Sequence, residues 1–383
     1  MKKVQNQQNN SWQYHFEEAG FDYHSLDGKY WIDNYHIELK NKEVKAMEDA
    51  ANEVHAMCLE MVSENVRTGN LEKYGLNRFI IAAMERSWKN KEFHLYGRFD
   101  FAYDGTGVPK MLEYNADTPT SLVETAIAQK SWQDMQLQEF GVKYEMCNRL
   151  EQAFKNRLSL WKKMNEGKNF YFSADELTIE DWGNVVALRN WAREVGINAE
   201  NIDFQDLMYS EDKLEFQNKE GARIDALFKL YPWEFIFGEM NFGDYEVSTT
   251  QIVEPMWKGM LSTKAILPML WDMFKGHKNL MPAFFNEKEM LEVSNSYVKK
   301  PIYSREGANI EVIKNSSLID KADGDYGSEG YIYQEYAKMA NLDNAWYIFG
   351  TWMVGDKMEG LAIREDKTVI TKNTSFFVPH NIV

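Results

Sequence analysis

The run 97–121, GRFDFAYDGTGVPKMLEYNADTPTS, sets an arginine, an aspartate, a glutamate and an asparagine into two short strand-like segments. At the strand period of two, Arg98 and Asp100 share one face while Phe99, Phe101 and Tyr103 take the other. Glu113 and Asn115 likewise share a face opposite Leu112 and Tyr114. Asp104-Gly105-Thr106-Gly107 is turn chemistry, and a four-residue loop there pairs Tyr103 with Val108, so that Arg98 faces Glu113 and Asp100 faces Met111. Two carboxylates and an amide oxygen, with no His or Cys, form a donor set for a hard divalent cation such as magnesium. Arg98 adds a planar fork of donors suited to phosphate. A plain amphipathic hairpin with a solvated face shows the same alternation but does not require that donor set.

A second stretch, YVKKPIYSREGANIEVI, ends a strand on Lys300 and begins another at Ile310. The loop between them carries Ser304, Arg305, Gly307 and Asn309. Such a strand, loop and strand lays backbone N–H groups and a lysine over the phosphates of a nucleotide, with glycine where the backbone comes close. It is not a Walker pattern, and a solvated hairpin loop reads the same way on its own. The run IYQEY offers Gln334 or Glu335 as an edge for adenine.

These residues need a sizeable scaffold, and the chain supplies one. Its 383 residues are enough for two or three lobes, and 12 Trp, 20 Tyr and 22 Phe point to packed cores rather than disorder. The formal net charge of -16 and the absence of a basic stretch argue against nucleic acid or an anionic membrane as partner. Two cysteines, Cys58 and Cys147, lie in apolar helical patterns rather than in a metal or redox spacing. The N-terminal stretch has no apolar signal-peptide core, no run reaches membrane-spanning length, and the seven histidines form no zinc-type pair, so the expectation is a cytoplasmic enzyme.

Apolar positions at Val44, Met47, Ala51, Val54, Cys58 and Met61 predict a helix over 42–65, and further helices follow over 122–137 and 143–164. A new unit then opens. NFYFSA (169–174) and ALFKLYPW (226–233) are strand-like and flank a helical pattern over 179–196, the alternation of a three-layer lobe. A long apolar pattern over 254–282 predicts one helix bounded by prolines. Strands follow in SYVKKPIY, IEVIKN, GYIYQEY, AWYIFGTWMV, MEGLAIR and TVITKN, with turns at Asp323-Gly324 and Gly355-Asp356.

Six ordered stretches, RFDFAYD…KMLEYNADTPTS, ALFKLYPWEF, VEPMWKGMLSTKAILPMLWDMFKGHKNLMPAFF, YVKKPIYSREGANI, YIYQEY and GLAIRED, resemble the synthetase domain of the glutathionylspermidine synthase family from about residue 10 onward. The resemblance implies a mixed α+β and α/β chain with an ATP-grasp fold in the permuted order of glutathione synthetases. Its expected parts are 1–165 (helices and the metal-binding hairpin), 166–253 (an inserted strand and helix substrate lobe), 254–340 (ATP-binding helix and β-rich lid) and 341–383 (C-terminal strands completing the core). It implies that Asp100, Glu113 and Asn115 hold Mg2+ and that Arg98 lies against the transferred phosphate. Lys264 and Lys300 would then contact the phosphates of ATP, the loop of Ser304, Gly307 and Asn309 would cover the nucleotide, and Gln334, Glu335 and Tyr336 would border adenine. Arg364 is the second expected phosphate or intermediate contact. Thr118, Thr120 and Ser121 stand where the family carries small hydroxyls and a cysteine for the acid substrate; Pro119 and the missing cysteine depart from that pattern.

The implied reaction joins a small-molecule acid to an amine. ATP activates the carboxylate as an acyl phosphate, a reaction that needs electrostatics and positioning more than a covalent nucleophile. An amidase activity like that of the bifunctional relatives is not expected, since the hairpin starts at Arg98 and Cys58 sits on a helical stripe. Glu124, Asp175 and Glu176 are acidic groups available to a polyamine, or simply solvated charges. Three other readings stand beside the ligase: a carbohydrate-processing enzyme built on aromatic residues and carboxylate pairs, a nucleotide-binding protein that makes no bond, and a kinase.

Overall fold

The computed structural model describes residues 1–8, 11–25, 30–70, 76–239 and 241–383. Its centre is an antiparallel sheet in which Tyr96–Ala102 lies between Lys110–Asn115 and Ala345–Val354, followed by Lys357–Asp366 and Phe376–Phe377. Phe99, Phe101, Tyr114, Phe349 and Met353 point to one side of this sheet into the largest core. The long helix Asn41–Thr68 supplies Val54, Cys58 and Met61 to that core. Its start is fixed where Lys40 N donates to Glu43 Oε2 at 2.8 Å, and its end where Gly69 turns left-handed at φ 71°.

A four-stranded parallel sheet, ordered Gln251–Val253, Ala226–Lys229, Asn169–Ala174, Asn198–Asp203, forms a second layer against the helices Leu150–Met164 and Ile179–Glu194. Its inner strand Ala226–Lys229 is buried throughout, whereas the edge strand Asn198–Asp203 buries only Ala199 and Ile202. A five-stranded antiparallel sheet in the order Ala283–Phe284, Tyr331–Glu335, Tyr297–Pro301, Glu311–Lys314, Ser317–Lys321 forms the third. Among the described residues no helix is long and apolar enough to cross a membrane. Cys58 and Cys147 are buried free thiols.

The hairpin is present, but its register differs from the expectation. Arg98 pairs with Asn115 and Asp100 with Glu113, whereas Phe101 pairs with Met111, so a bulge at Leu112 separates the two halves. The connection is also longer than four residues, because strand pairing stops at Ala102 and Lys110. Leu112, expected on the face of Tyr114 and opposite Glu113 and Asn115, lines the cleft with those two instead.

The predicted helix over 254–282 is two short pieces, a 3-10 turn Met256–Met260 and a helix Ile266–Met273. Pro268 is the reason: without an N–H, and with its ring against the carbonyl four residues earlier, it fits only in the first turn of a helix. Lys264 sits at the resulting break, its backbone N–H bonded to Ile302 O at 2.9 Å. The helix expected from 143 begins at Leu150, and TVITKN is irregular rather than a strand, with Val369 N and Ile370 N both donating to Asp320 Oδ2.

Candidate active site

The cleft, about 1200 Å³, opens between the central sheet, the five-stranded sheet and the carboxyl ends of the parallel strands. The hairpin forms its floor. The guanidinium of Arg98 is gripped on three sides: Nε donates to Asp100 Oδ1 at 2.9 Å, Nη2 to Asp100 Oδ2 at 3.2 Å and Nη1 to Thr120 O at 2.7 Å. Gly350, paired with Asp100 on the adjoining strand, leaves the space: a Cβ there would lie 3.2 Å from Arg98 Cδ and 3.4 Å from Asp100 Oδ1.

Asn115 Nδ2 donates to both Asp100 Oδ2 and Glu113 Oε1 at 3.3 Å. Against the cost of burial, Lys264, Lys300 and Arg98 pull Glu113 down to about 2, so it is a carboxylate at neutral pH. Burial pushes Asp100 above the usual carboxylate range, with Arg98 opposing and Glu113 adding. Two carboxylates sharing an amide N–H pair fit a divalent cation, provided the amide turns over to present its oxygen. Among the described residues no group of three or more His, Cys, Asp or Glu side chains is placed to hold a metal, so the hairpin set reaches three oxygen donors only by counting Asn115.

Cations close the site from the other side. Lys264 Nζ lies 3.2 Å from Glu113 Oε2 and donates to Ser304 O at 2.7 Å. Lys300 Nζ donates to Leu112 O at 2.9 Å and to Gln334 Oε1 at 2.7 Å; burial brings it down to about 8, with Glu113 opposing and Lys264 adding. Arg364 Nη2 donates to the carbonyls of Lys372, Asn373 and Ser375, and its guanidinium stacks on Phe377 at 4.9 Å.

The cleft thus gathers Arg98, Asp100, Glu113, Asn115, Thr118, Thr120, Ser121, Lys300, Ser304, Gly307, Tyr336 and Arg364. Lys264 borders a small cavity of about 30 Å³ beneath it, together with Glu113, Asn115 and Ser304. Besides Lys264, three predicted residues are not on the wall of the cleft. Asn309 ties its own loop to Tyr326 O at 2.5 Å. Gln334 is a buried strut between Lys300 and Met111 O, and Glu335 lies on the same strand, where its N–H bonds to Pro282 O. Ser121 holds a left-handed backbone at φ 74°.

Three sets of residues stand out beyond the predicted site, and of these the sequence alone singles out as candidates only Asp175 and the loop residue Arg305. Arg305, visible in the SREG run, donates from Nη2 to Glu234 Oε1 at 2.5 Å. Leu112, Val298, Ile310, Val312, Met339 and Ile348 form an apolar slot between two sheets. Asp175, Glu180, Asp181, Asp203, Glu239 and Asp244 make the opposite wall acidic, at and beyond the ends of the parallel strands. Only Asp175 of the three acids suggested for a polyamine is among them: Glu124 is 1% exposed and bonded to Tyr30 OH at 2.8 Å, and Glu176 lies outside the wall. The acidic wall left no local signal because its members come from separate elements.

The family model of the glutathionylspermidine synthase preATP-grasp matches residues 3–383. A protein of Haemophilus influenzae named "Putative acid--amine ligase" is 37% identical over 377 residues, covering 95% of both chains. The trypanothione synthetase of Crithidia fasciculata is 27% identical over 313 residues, 75% of this chain and 47% of that one. The bifunctional glutathionylspermidine synthetase/amidase of Escherichia coli is 24% identical over 360 residues, 87% of this chain and 57% of that one. The chain therefore spans nearly all of the first relative and about half of the other two. Among solved structures, a glutathione synthetase-like effector from Globodera pallida in its apo form shares the fold, with a TM-score of 0.62 at 13% identity over 99% of this chain and 98% of that one.

Proposed function

The chain belongs to the glutathionylspermidine synthase family, and from that premise we propose that it is an ATP-dependent ligase joining a small carboxylic acid to an amine through an acyl phosphate, with ADP and phosphate as products. One observation carries the reading: Arg98, Asp100, Glu113 and Asn115 share one face of the hairpin, and Lys264 and Lys300 close on it from the neighbouring elements. Phosphoryl transfer needs charge neutralised around the moving group, and this is such an enclosure.

Asp100, Glu113 and the oxygen of Asn115 would hold Mg2+, which supplies charge neutralisation between the phosphates when bound. Arg98, braced by Asp100 and Thr120 O, meets the transferred phosphoryl without having to reorganise. Lys264 and Lys300 face the phosphates, and the loop of Ser304 and Gly307 covers them. The apolar slot and Tyr336 take the adenine, while Gln334 acts by holding Lys300. Thr118, Thr120 and Ser121 receive the carboxylate of the acid, and Arg364 backs the acyl phosphate. The acidic wall, with Phe204, Tyr231 and Phe235 beside it, suits an amine that arrives as an ammonium ion. In the same reading the fold is an ATP-grasp in permuted order, its core built from 1–165 and 341–383, with 166–253 as substrate lobe and 254–340 as nucleotide lid.

The test is chromatography of nucleotides after incubating the protein with MgATP and pools of amino acids, peptides and polyamines. ADP and phosphate that require both an acid and an amine, with an amide product, are expected. ADP formed together with a stable phosphorylated hydroxyl compound would make the protein a kinase instead.

A further inference from the structure

The loop over the phosphate site is held in a conformation it does not favour by itself. Glu306, Gly307 and Asn309 all have left-handed backbones, at φ 53°, 74° and 54°, and two of them are not glycine. Outside contacts hold it there. Lys264 Nζ grips Ser304 O at 2.7 Å, and Arg305 reaches out to two other parts of the molecule. Its Nη2 donates to Glu234 Oε1 at 2.5 Å and its Nη1 meets Thr118 Oγ1 at 3.4 Å, while the guanidinium packs over Phe235 at 5.4 Å. Glu234 stands in the first turn of the helix Trp233–Gly238, whose neighbours Tyr231 and Phe235 line the acidic end of the cleft.

The pair is half satisfied. Glu234 Oε2 and Arg305 Nε are both buried with no hydrogen-bond partner, so neither fork makes the two-pronged contact that gives such pairs their strength. Arg305 lines the main cleft and also, with Glu234, Glu113, Asn115 and Lys264, the small cavity under the lid loop. A guanidinium this close to the phosphate site but bound to a carboxylate of another lobe is poised to change partners.

Resting on the ligase reading, we propose that Glu234 is a positioning residue that restrains Arg305, and the lid loop with it, until the ammonium end of the amine substrate enters the acidic end of the cleft and takes over the Glu234 carboxylate. Arg305 then turns to the phosphoryl group. The exchange makes ATP consumption wait for the amine and so keeps water from wasting an acyl phosphate that has no acceptor.

Amide hydrogen exchange of the full chain tests the restraint without any substrate. In Glu234→Gln the segment 302–310 should exchange about tenfold faster or more, the effect of losing one charge-assisted hydrogen bond, while Asn41–Thr68 stays unchanged. In turnover, the same variant should release ADP with acid alone at a rate approaching that with acid and amine, and its KM for the amine should rise. Loop exchange equal to wild type, or acid-only ADP release that stays at the wild-type level, overturns the proposal. If the glutamine variant does not fold, Glu234→Asp, one methylene shorter, breaks the same contact. A wild-type protein with no acid- and amine-dependent ADP removes the ligase reading, and the exchange experiment then still decides whether Glu234 restrains the loop.

Discussion

Arg98 spends all three of its described hydrogen bonds inside the protein, two on Asp100 and one on Thr120 O, which fixes the fork rather than leaving it to search. Arg98→Ala should therefore lower turnover at least ~10²-fold while leaving the fold intact, a typical loss for a transition-state charge contact. Circular dichroism and kcat together check this; a variant with near-normal kcat would take Arg98 out of the reaction. Asp100→Asn and Glu113→Gln should each move the magnesium midpoint of ADP formation upward by about tenfold or more. Glu124 titrates for a different reason. Burial pushes it up to about 7, with its own helix N–H and Tyr30 opposing and Glu180 adding. The folded chain thus keeps a proton that the unfolded chain releases above about 4.5, so the associated stability is complete below that pH and is lost as pH rises through about 7. The shift corresponds to about 3 kcal/mol. Glu124→Gln should flatten thermal stability between pH 5 and 8 and melt above wild type at pH 8.

The loop between Pro301 and Glu311 shows what one element needs from its sequence. Gly307 has φ 74°, and a Cβ there would lie 2.7 Å from both Ile370 Cγ2 and Thr371 O. Gly307→Ala should lift the loop off residues 370–371 and raise the KM for ATP several-fold with a smaller change in kcat, read from initial rates. The hairpin, by contrast, was half legible. Alternation placed Arg98 with Asp100 and Glu113 with Asn115 on common faces, which is how these elements appear. The register was not legible, because the bulge at Leu112 is braced from outside: Lys300 takes the carbonyl of Leu112 and Gln334 that of Met111. No pattern within 97–121 contains those partners. The break at Lys264 was signalled by Pro268, and the apolar run hid it.

On the scale of the molecule, the site depends on how the parallel sheet meets the hairpin loop. Lys229, at the end of Ala226–Lys229, pairs with Asp117 at 3.0 Å, and both are almost fully buried. Asp117 Oδ2 also receives Trp233 N at 2.7 Å, and Asp117 immediately precedes Thr118, which lies with Thr120 and Ser121 on the cleft wall. Lys229→Met leaves a buried carboxylate without its cation and should cost about 3–5 kcal/mol in urea unfolding; adding Asp117→Asn should return part of that. This junction, like the acidic wall, joins residues far apart in the chain, and that distance is why neither could be read from the sequence.

The bracing of Leu112 also separates the two ends of the hairpin. Register at Arg98 and Glu113 is set by Lys300 and Gln334, while the tip, where Thr106 and Gly107 are exposed, is closed within the loop by Asp104, which accepts from Thr106 N and Gly107 N and pairs with Lys338. The tip is therefore a place to graft foreign sequence. A short epitope or fluorophore-labelling tag inserted after Thr106 would ride outside the cleft on a strand pair whose Arg98 end stays in step, giving a reporter attached directly to the hairpin that floors the cleft.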